Sequence, residues 1–281
     1  MEDLLRQLAD RPDDLELRRV YGDRLLERGD KRGELIAVQC ERQTHDRPEL
    51  IEREHALLAE LAPKSFAEMH SLVGETKWKL GFIDELAIDL TDHPAPRIDP
   101  LFTLPETRLV KKLTIASCTF DGVGDLTEVW ARFGHLPLLE ELSVVKSPDL
   151  GSPWHEGPVT IGDLSPLWPK VPGLRRVWLD GIDAQFGQIA LPDAERFIAT
   201  RLDTNTVPAL ARAQWPRLRY LELEFKYGRD EDPATVFGPL LRARFGEDLS
   251  EVRIISRWAD WLGDHLADSP LGRGRKCETL S

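Results

Sequence analysis

The sequence predicts an α/β fold in which an all-α N-terminal cap precedes a solenoid, with a parallel sheet on the concave side and helices on the convex side. Two observations lead to this prediction. Residues 1–76 show apolar side chains at helical spacing. From residue 77 to residue 281, short alternations of strand type recur, separated by stretches with helical spacing or turn chemistry. We therefore expect two domains, a helical cap over 1–76 and a repeat array over 77–281.

Four helices are predicted in the cap. Gly29 follows the second apolar stripe, and glycine readily takes the left-handed conformation that ends a helix. Asp30 can cap the third helix, because its side chain can accept a backbone N–H at the new helix terminus. Pro48 precedes the fourth helix. The four stripes contain Leu4, Leu5 and Leu8; Leu15, Leu17, Val20, Tyr21, Leu25 and Leu26; Leu35, Ile36 and Val38; and Leu50, Ile51, Leu57, Leu58 and Leu61.

A pattern of the form apolar-x-x-apolar-x-apolar recurs after the cap, as in leucine-rich repeats. One copy continues into Cys118 and Phe120, an ending typical of such repeats. The middle positions lie as few as 20 residues apart, between Val177 and Phe197, and as many as 35, between Leu142 and Val177. We therefore predict a leucine-rich-repeat-like solenoid of irregular unit length. The copies are Ile83/Leu86/Ile88, Val110/Leu113/Ile115, Leu139/Leu142/Val144, Leu174/Val177/Leu179, Leu218/Leu221/Leu223 and Leu249/Val252/Ile254, with a poorer copy at Ala194/Phe197/Ala199.

Four stretches between the repeats show helical spacing, which predicts that each strand pairs in parallel with the next through a crossover. A repeat unit cannot bury its apolar face alone, so the array needs both neighbours and caps. The N-terminal helices are the candidate for one cap. The four helical faces contain Leu126, Val129, Trp130 and Phe133; Val207, Leu210 and Ala211; Val236, Phe237, Leu240, Leu241 and Phe245; and Trp258, Trp261, Leu262 and Leu266.

The charge balance argues against a nucleic-acid partner. The chain carries 49 acidic and 37 basic side chains, a formal net charge of −12, and both predicted domains share the acidic excess. Nucleic-acid binding draws most of its affinity from Lys and Arg side chains that neutralise phosphates, so we expect none here. The only basic cluster in the sequence, Arg273, Arg275 and Lys276, is interpreted as a short solvated tail.

Cysteine usage and hydropathy predict a cytoplasmic protein. Cys40, Cys118 and Cys277 are isolated from one another and lack the C-x-x-C spacing of a metal or redox site. The residues after Met1 are acidic and amphipathic, unlike a secretion signal. No stretch approaches the roughly 18 apolar residues that a membrane span needs. We therefore expect no membrane association.

Three motifs stand out in the first part of the chain: Arg11-Pro12-Asp13-Asp14, the run from Val20 to Gln39, and Trp78-Lys79-Leu80-Gly81-Phe82-Ile83. In these motifs the chain resembles the bacterial repeat-companion domain, a small helical module that typically precedes degenerate leucine-rich-like repeats. The resemblance covers roughly residues 1–90. It implies a scaffold or interaction role and supplies no catalytic residues. At Gly22-Asp23-Arg24 the chain departs from the family, which usually has Ala-Asp-Trp there and with it an aromatic core contact.

Local catalytic motifs are absent from the sequence. The seven histidines, at positions 45, 55, 70, 93, 135, 155 and 265, form no H-E-x-x-H or other local ligand pair. Gly122-Val123-Gly124 lacks both the third glycine and the following lysine of a phosphate-binding loop. We therefore expect no enzyme, no cofactor and no metal. Two alternatives stay open: an enzyme whose site is assembled from residues distant in sequence, and a purely structural spacer.

The repeat pattern also assigns side chains to the face opposite the core, because alternate residues of a strand point to opposite sides of a sheet. Trp, Tyr and Arg often dominate interface energetics, and they cluster at the centre of this face. The candidate partner-binding residues are Arg176, Trp178, Asp180, Tyr220, Glu222 and Glu224. The rows are Lys112, Glu141, Arg176, Arg196, Tyr220 and Glu251; Thr114, Ser143, Trp178, Ile198, Glu222 and Arg253; and Ala116, Val145, Asp180, Thr200, Glu224 and Ile255.

The functional hypothesis is a protein–protein interaction scaffold that holds a protein partner on this concave face. An acidic and aromatic face suits a basic partner, and a sharper version of the hypothesis makes the chain the regulatory or neutralising partner of an effector. In the competing interpretation, the loop from Gly151 to Pro158 covers Trp178 and the charged residues form a solvated sheet face. The sequence gives no prediction of oligomeric state.

Overall fold

The fold is α/β, with a nine-stranded, mostly parallel sheet and nine α-helices among the residues that the structure describes. The structure is a computed structural model that describes residues 1–66, 72–90, 98–117, 125–146, 157–227 and 232–281. None of the described helices has the length and apolar character that a bilayer crossing requires. The predicted repeat ending at Cys118 and Phe120 lies outside the described residues.

Four helices form the N-terminal part, as the apolar stripes predict. Asp14 caps the second, because its Oδ1 accepts a hydrogen bond from the Leu17 N–H at 3.0 Å. Gly29 has a φ of +73°, as expected of a residue after a helix end. The residue that caps the third helix is Lys31 and not the predicted Asp30, although Asp30 Oδ1 accepts the N–H of Arg32, the first residue of that helix, at 2.9 Å. The helices are α1 (Glu2–Asp10), α2 (Leu15–Leu26), α3 (Arg32–Arg42) and α4 (Pro48–Ser65).

The nine strands lie side by side in the order in which they occur in the chain. β1 and β2 pair antiparallel, and every later pair is parallel. β1 begins at Val73, so the predicted domain boundary at residue 77 falls within it. The strands are β1 (Val73–Lys79), β2 (Phe82–Asp89), β3 (Lys112–Ser117), β4 (Glu141–Lys146), β5 (Arg176–Asp180), β6 (Arg196–Asp203), β7 (Tyr220–Tyr227), β8 (Glu251–Ser256) and β9 (Lys276–Leu280).

The pairing register of the parallel strands is the one that the repeat pattern predicts. The poorer copy around Phe197 is in register with its neighbours at Val177 and Leu221. All of these middle positions are buried, so each strand contributes one apolar residue to a continuous column in the core. The column consists of Leu86, Leu113, Leu142, Val177, Phe197, Leu221 and Val252, and it continues to Cys277.

The C-terminal residues correct the prediction of a solvated tail. Lys276 opens β9, which pairs in parallel with β8. The Arg275 guanidinium donates to the backbone oxygens of Leu249 and Leu271 and so ties the preceding turn to the sheet. The sequence analysis missed this strand because Cys277-Glu278-Thr279 lacks the branched apolar residues on which the repeat pattern rests.

The connections between strands are helical in part. The four predicted helical faces form helices, of which α8 begins at Pro233, the predicted first helical position. The described residues between β4 and β6 contain no α-helix, and short bridges such as Thr160 with Ile182 pair successive connections instead. The helices here are α5 (Asp99–Thr103), α6 (Thr127–Arg132), α7 (Val207–Ala211), α8 (Pro233–Leu241) and α9 (Ala259–Leu266).

Polar contacts join the four helices to the first hairpin. Gln39 Oε1 accepts the Gly81 N–H at 2.7 Å, and the Arg18 guanidinium donates to the Leu80 carbonyl at 3.2 Å. Gly81 has a φ of +78°, and a Cβ on it would lie 2.2 Å from Ile36 Cγ1, so the hairpin approaches α3 only with glycine there. Arg24 is exposed, and its guanidinium donates a hydrogen bond to the Glu27 carboxylate. This is the position at which the family that the sequence resembles usually has tryptophan.

Replacing Phe197 with alanine tests the core column. Phe197 is fully buried against Phe186 and Trp215, so we expect Phe197→Ala to lower the free energy of unfolding by about 3–5 kcal/mol. The matched control is Ile198→Ala, on the opposite face and half-buried, with an expected loss of about 1 kcal/mol or less. Urea denaturation measures both, and equal losses would contradict the register.

Candidate functional site

The candidate site lies on the side of the sheet opposite the apolar column, which we call the outer face. Its middle row is continuous across the parallel strands, because the residues that form it are direct Cα partners. The row runs through Thr114, Ser143, Trp178, Ile198, Glu222 and Arg253. The structure thus brings the six predicted site residues together on β5 and β7, separated by the single strand β6.

Trp178 is the most exposed large apolar side chain of the outer face, with 49% of its surface accessible. Its partners in the row are Ser143, which is too small to cover it, and the half-buried Ile198. The competing interpretation places the loop from Gly151 to Pro158 over this ring. Residues 151–156 of that loop lie outside the described residues.

Charges of alternating sign line the first row of the outer face from Glu85 to Arg176. Lys112 Nζ lies 3.8 Å from Glu85 and 3.9 Å from Glu141, and Arg176 forms an ion pair with the same Glu141. Opposite charges directly across neighbouring strands stabilise a sheet modestly. Arg176 is exposed, is held in place by Glu141, and lies two residues before Trp178 on the same face of the sheet.

Tyr220 and Glu222 form a fixed polar pair in the centre of the face. The Tyr220 hydroxyl donates to Glu222 Oε2, and the Arg253 Nη1 donates to the same oxygen at 3.2 Å. Burial, together with the hydrogen bond and the charge of Glu222, raises the pKa of Tyr220 to about 12. Tyr220 is therefore a protonated donor at neutral pH and cannot act as a base there.

The third row supplies two further carboxylates, each next to a cationic side chain. Asp180 Oδ1 accepts the Thr200 hydroxyl at 2.8 Å and lies 2.8 Å from Arg201 Nε. Glu224 lies 3.4 Å from Lys226 Nζ. Together with the Glu222 contact to an arginine, every predicted carboxylate of the site has a cationic neighbour.

Three arginines complete the site, and the sequence analysis left them out of the candidate set. The Arg196 guanidinium lies over the Tyr220 ring, 4.3 Å from its centre, and Arg253 bonds to both Glu222 and Glu278. Both lie in rows that the repeat pattern assigns to this face, so their positions were available from the sequence. Arg201 could not be found this way, because its φ of +59° interrupts the strand alternation.

No constellation for metal chemistry is found in the described part of the chain: no group of three or more His, Cys, Asp or Glu side chains is placed to hold an ion. Cys40 and Cys277 are free, and burial raises the pKa of both thiols, which disfavours the reactive thiolate. Of the seven histidines in the sequence, those at positions 70, 93 and 155 lie outside the described residues. The outer face presents an exposed aromatic ring and oriented polar groups.

The raised pKa of Tyr220 gives a test of the polar pair. A folded pKa of about 12 against an ordinary value of 10.0 means that the stabilisation is complete below pH 10 and is lost as the pH rises toward 12. Glu222→Gln removes the charge that raises this pKa, so we expect a smaller loss of stability over this window than in the wild type. Tyr220→Phe serves as the reference without the titrating group. Urea unfolding between about pH 9 and about pH 11 measures the difference, and equal slopes in the wild type and Tyr220→Phe would argue against the pair.

The chain was also compared with known proteins. No protein-family description, no curated protein and no solved structure matches it. The function is therefore argued from the geometry of the outer face.

Proposed function

We propose that this chain is a non-catalytic protein–protein interaction scaffold that binds a protein partner on the outer face of its sheet. The observation that carries the proposal is Trp178, an exposed aromatic side chain at the centre of an ordered polar surface. The proposal includes a leucine-rich-repeat-like solenoid, with the outer face as its concave side and a repeat-companion-like helical cap. It also places the protein in the cytoplasm.

The repeat array supports the solenoid part of the proposal. Every strand after β1 pairs in parallel with the next strand in the chain, and equivalent repeat positions stand side by side. Solenoids are built in this way, since each unit contacts only its neighbours. Such arrays commonly bind partners on an extended surface formed by one row from each unit.

The energetics of Trp178 support binding at this place. A tryptophan that is half accessible keeps on the order of 100 Å² of largely apolar surface in water, and covering it is worth about 3 kcal/mol. The residues beside it are already oriented, because Arg176 is held by Glu141 and Tyr220 by Glu222. Less side-chain freedom is then lost when a partner binds.

Charge supports a basic partner. The formal net charge of −12 attracts a positively charged protein over long range and raises the association rate. Asp180 lies on β5 and Glu224 on β7, where basic side chains of a partner can exchange with Arg201 and Lys226. A regulatory or neutralising role toward a basic effector follows from the same complementarity.

Trp178→Ala is the primary test. We expect the variant to bind the partner at least about tenfold more weakly, because an interfacial tryptophan is the type of residue that most often contributes 2 kcal/mol or more, roughly, to affinity. The matched control is Val20→Ala, which shortens an exposed apolar side chain on α2. Quantitative mass spectrometry of proteins captured from the native cell identifies the partner, and calorimetry measures the affinity. Equal capture by both variants would remove Trp178 from the site.

Glu222→Lys with Glu224→Lys tests the basic partner. We expect weaker binding and a smaller dependence of affinity on salt, because the attraction to basic side chains is lost. Glu16→Lys with Glu27→Lys changes the net charge equally, on exposed carboxylates in α2 and directly after it that also pair with arginines. If the two double variants weaken binding alike, charge acts only at long range, and the proposal that Glu222 and Glu224 contact the partner directly is wrong. Self-association in light scattering, with no partner captured, would instead favour the structural spacer.

A further inference from the structure

A cavity of about 700 Å³ lies away from the outer face, between three turns that precede β6, β7 and β8. Small or ring-shaped residues leave the space open, among them Ala190, Pro192 and Ala213. A Cβ on Gly246 would lie 1.8 Å from the Pro216 carbonyl oxygen, so two of the turns touch at the cavity wall only because this residue is glycine. The cavity shares no residue with the outer-face site.

Two aromatic rings form the apolar wall of the cavity. Trp215 packs edge to face on Phe245, with ring centres 5.5 Å apart, and Phe197 packs on the inner side of Trp215 at 4.7 Å. Trp215 is buried and Phe245 half-buried, so Phe245 has one side open to the cavity. The ring of an aromatic ligand in the cavity can therefore pack edge to face on Phe245, as Trp215 does.

The indole N–H of Trp215 is a buried donor without an acceptor among the described residues. The buried Trp130 and Trp168 differ, since their indole N–H groups donate to the carbonyls of Ile161 and Phe186, each at 2.7 Å. An unpaired buried donor costs free energy.

Arg244 lines the cavity and is exposed. Within the described part of the chain it has no hydrogen bond or ion pair, whereas Arg175, Arg176, Arg201, Arg217 and Arg253 of the same sheet and turns all pair with carboxylates. An unpaired guanidinium beside an apolar cavity is complementary to an anionic group, with which it forms charge-assisted hydrogen bonds.

We propose that this cavity is a binding site for a small planar aromatic molecule that carries a carboxylate or a similar anionic group. The ring system lies against Phe245 and the prolines, and the anion binds Arg244. The volume is within the range of small-molecule sites, and the lining has their usual composition of apolar walls with few polar groups. One arginine at one cavity fits a small anion and not a polyanion, whose binding needs several basic residues.

The first experiment compares two probes of one shape. Naphthalene-2-carboxylate is expected to bind the full-length protein with one-to-one stoichiometry, and about tenfold more tightly than the neutral naphthalene-2-carboxamide. Arg244→Gln is expected to weaken the carboxylate to the level of the amide and to leave the amide unchanged. Arg212→Gln, an exposed arginine outside the cavity, is the matched control. Calorimetry measures both probes with the wild type and with each of the two variants.

The second experiment fixes the location. Ala190 is exposed, so Ala190→Phe fills the cavity without entering the core and is expected to abolish binding of both probes. Trp178→Ala is expected to leave both affinities unchanged, which excludes stacking on the outer face. The proposal is overturned if naphthalene-2-carboxylate shows no saturable binding up to about 1 mM. It is equally overturned if Arg244→Gln keeps the preference for the carboxylate, or if Ala190→Phe binds like the wild type.

Discussion

The pairing register of the parallel strands constrains the rest of the molecule, because side chains alternate between the two faces of a sheet. A slip of one residue in any strand would move its apolar residues to the outer face and its charged residues into the core. Trp178 is exposed because Val177 and Leu179, on either side of it, are buried in the core. The packing of the core therefore determines which groups a partner or ligand meets.

The first hairpin starts this register at one end of the sheet. A parallel array cannot cover its own terminal strand, and here β1 pairs with β2 while α3 packs against the turn between them. Gln39 lies at the junction, since its side chain accepts from Gly81 and donates to Glu54 at 2.7 Å. Arg32 adds an ion pair of 3.2 Å to Glu106 beyond the hairpin. Polar groups that are nearly buried join the helices to the sheet in one orientation, because each has a specific partner.

Much of the strand alignment could be predicted because the middle apolar position of each repeat is the residue that its strand contributes to the buried column. Even the poorer copy at Phe197 aligned correctly, since a strand with one buried face shows alternating apolar and polar residues in its sequence. Three features could not be predicted. β9 lacks branched apolar residues, Arg201 sits at an irregularity between β6 and β7, and the cavity beside Arg244 depends on distances between turns that no local pattern encodes.

The charge pairs of the outer face are suited to exchange partners. Arg176 and Lys226 are about half exposed, and exposed ion pairs contribute roughly 0–1 kcal/mol to stability, since water solvates the separated charges well. Replacing such an ion pair by one to a partner therefore changes the free energy little in either direction. Trp178 differs, because water does not compensate its exposed apolar surface. In the proposed complex, affinity is then concentrated in the aromatic ring, while the charges around it select the partner and its orientation.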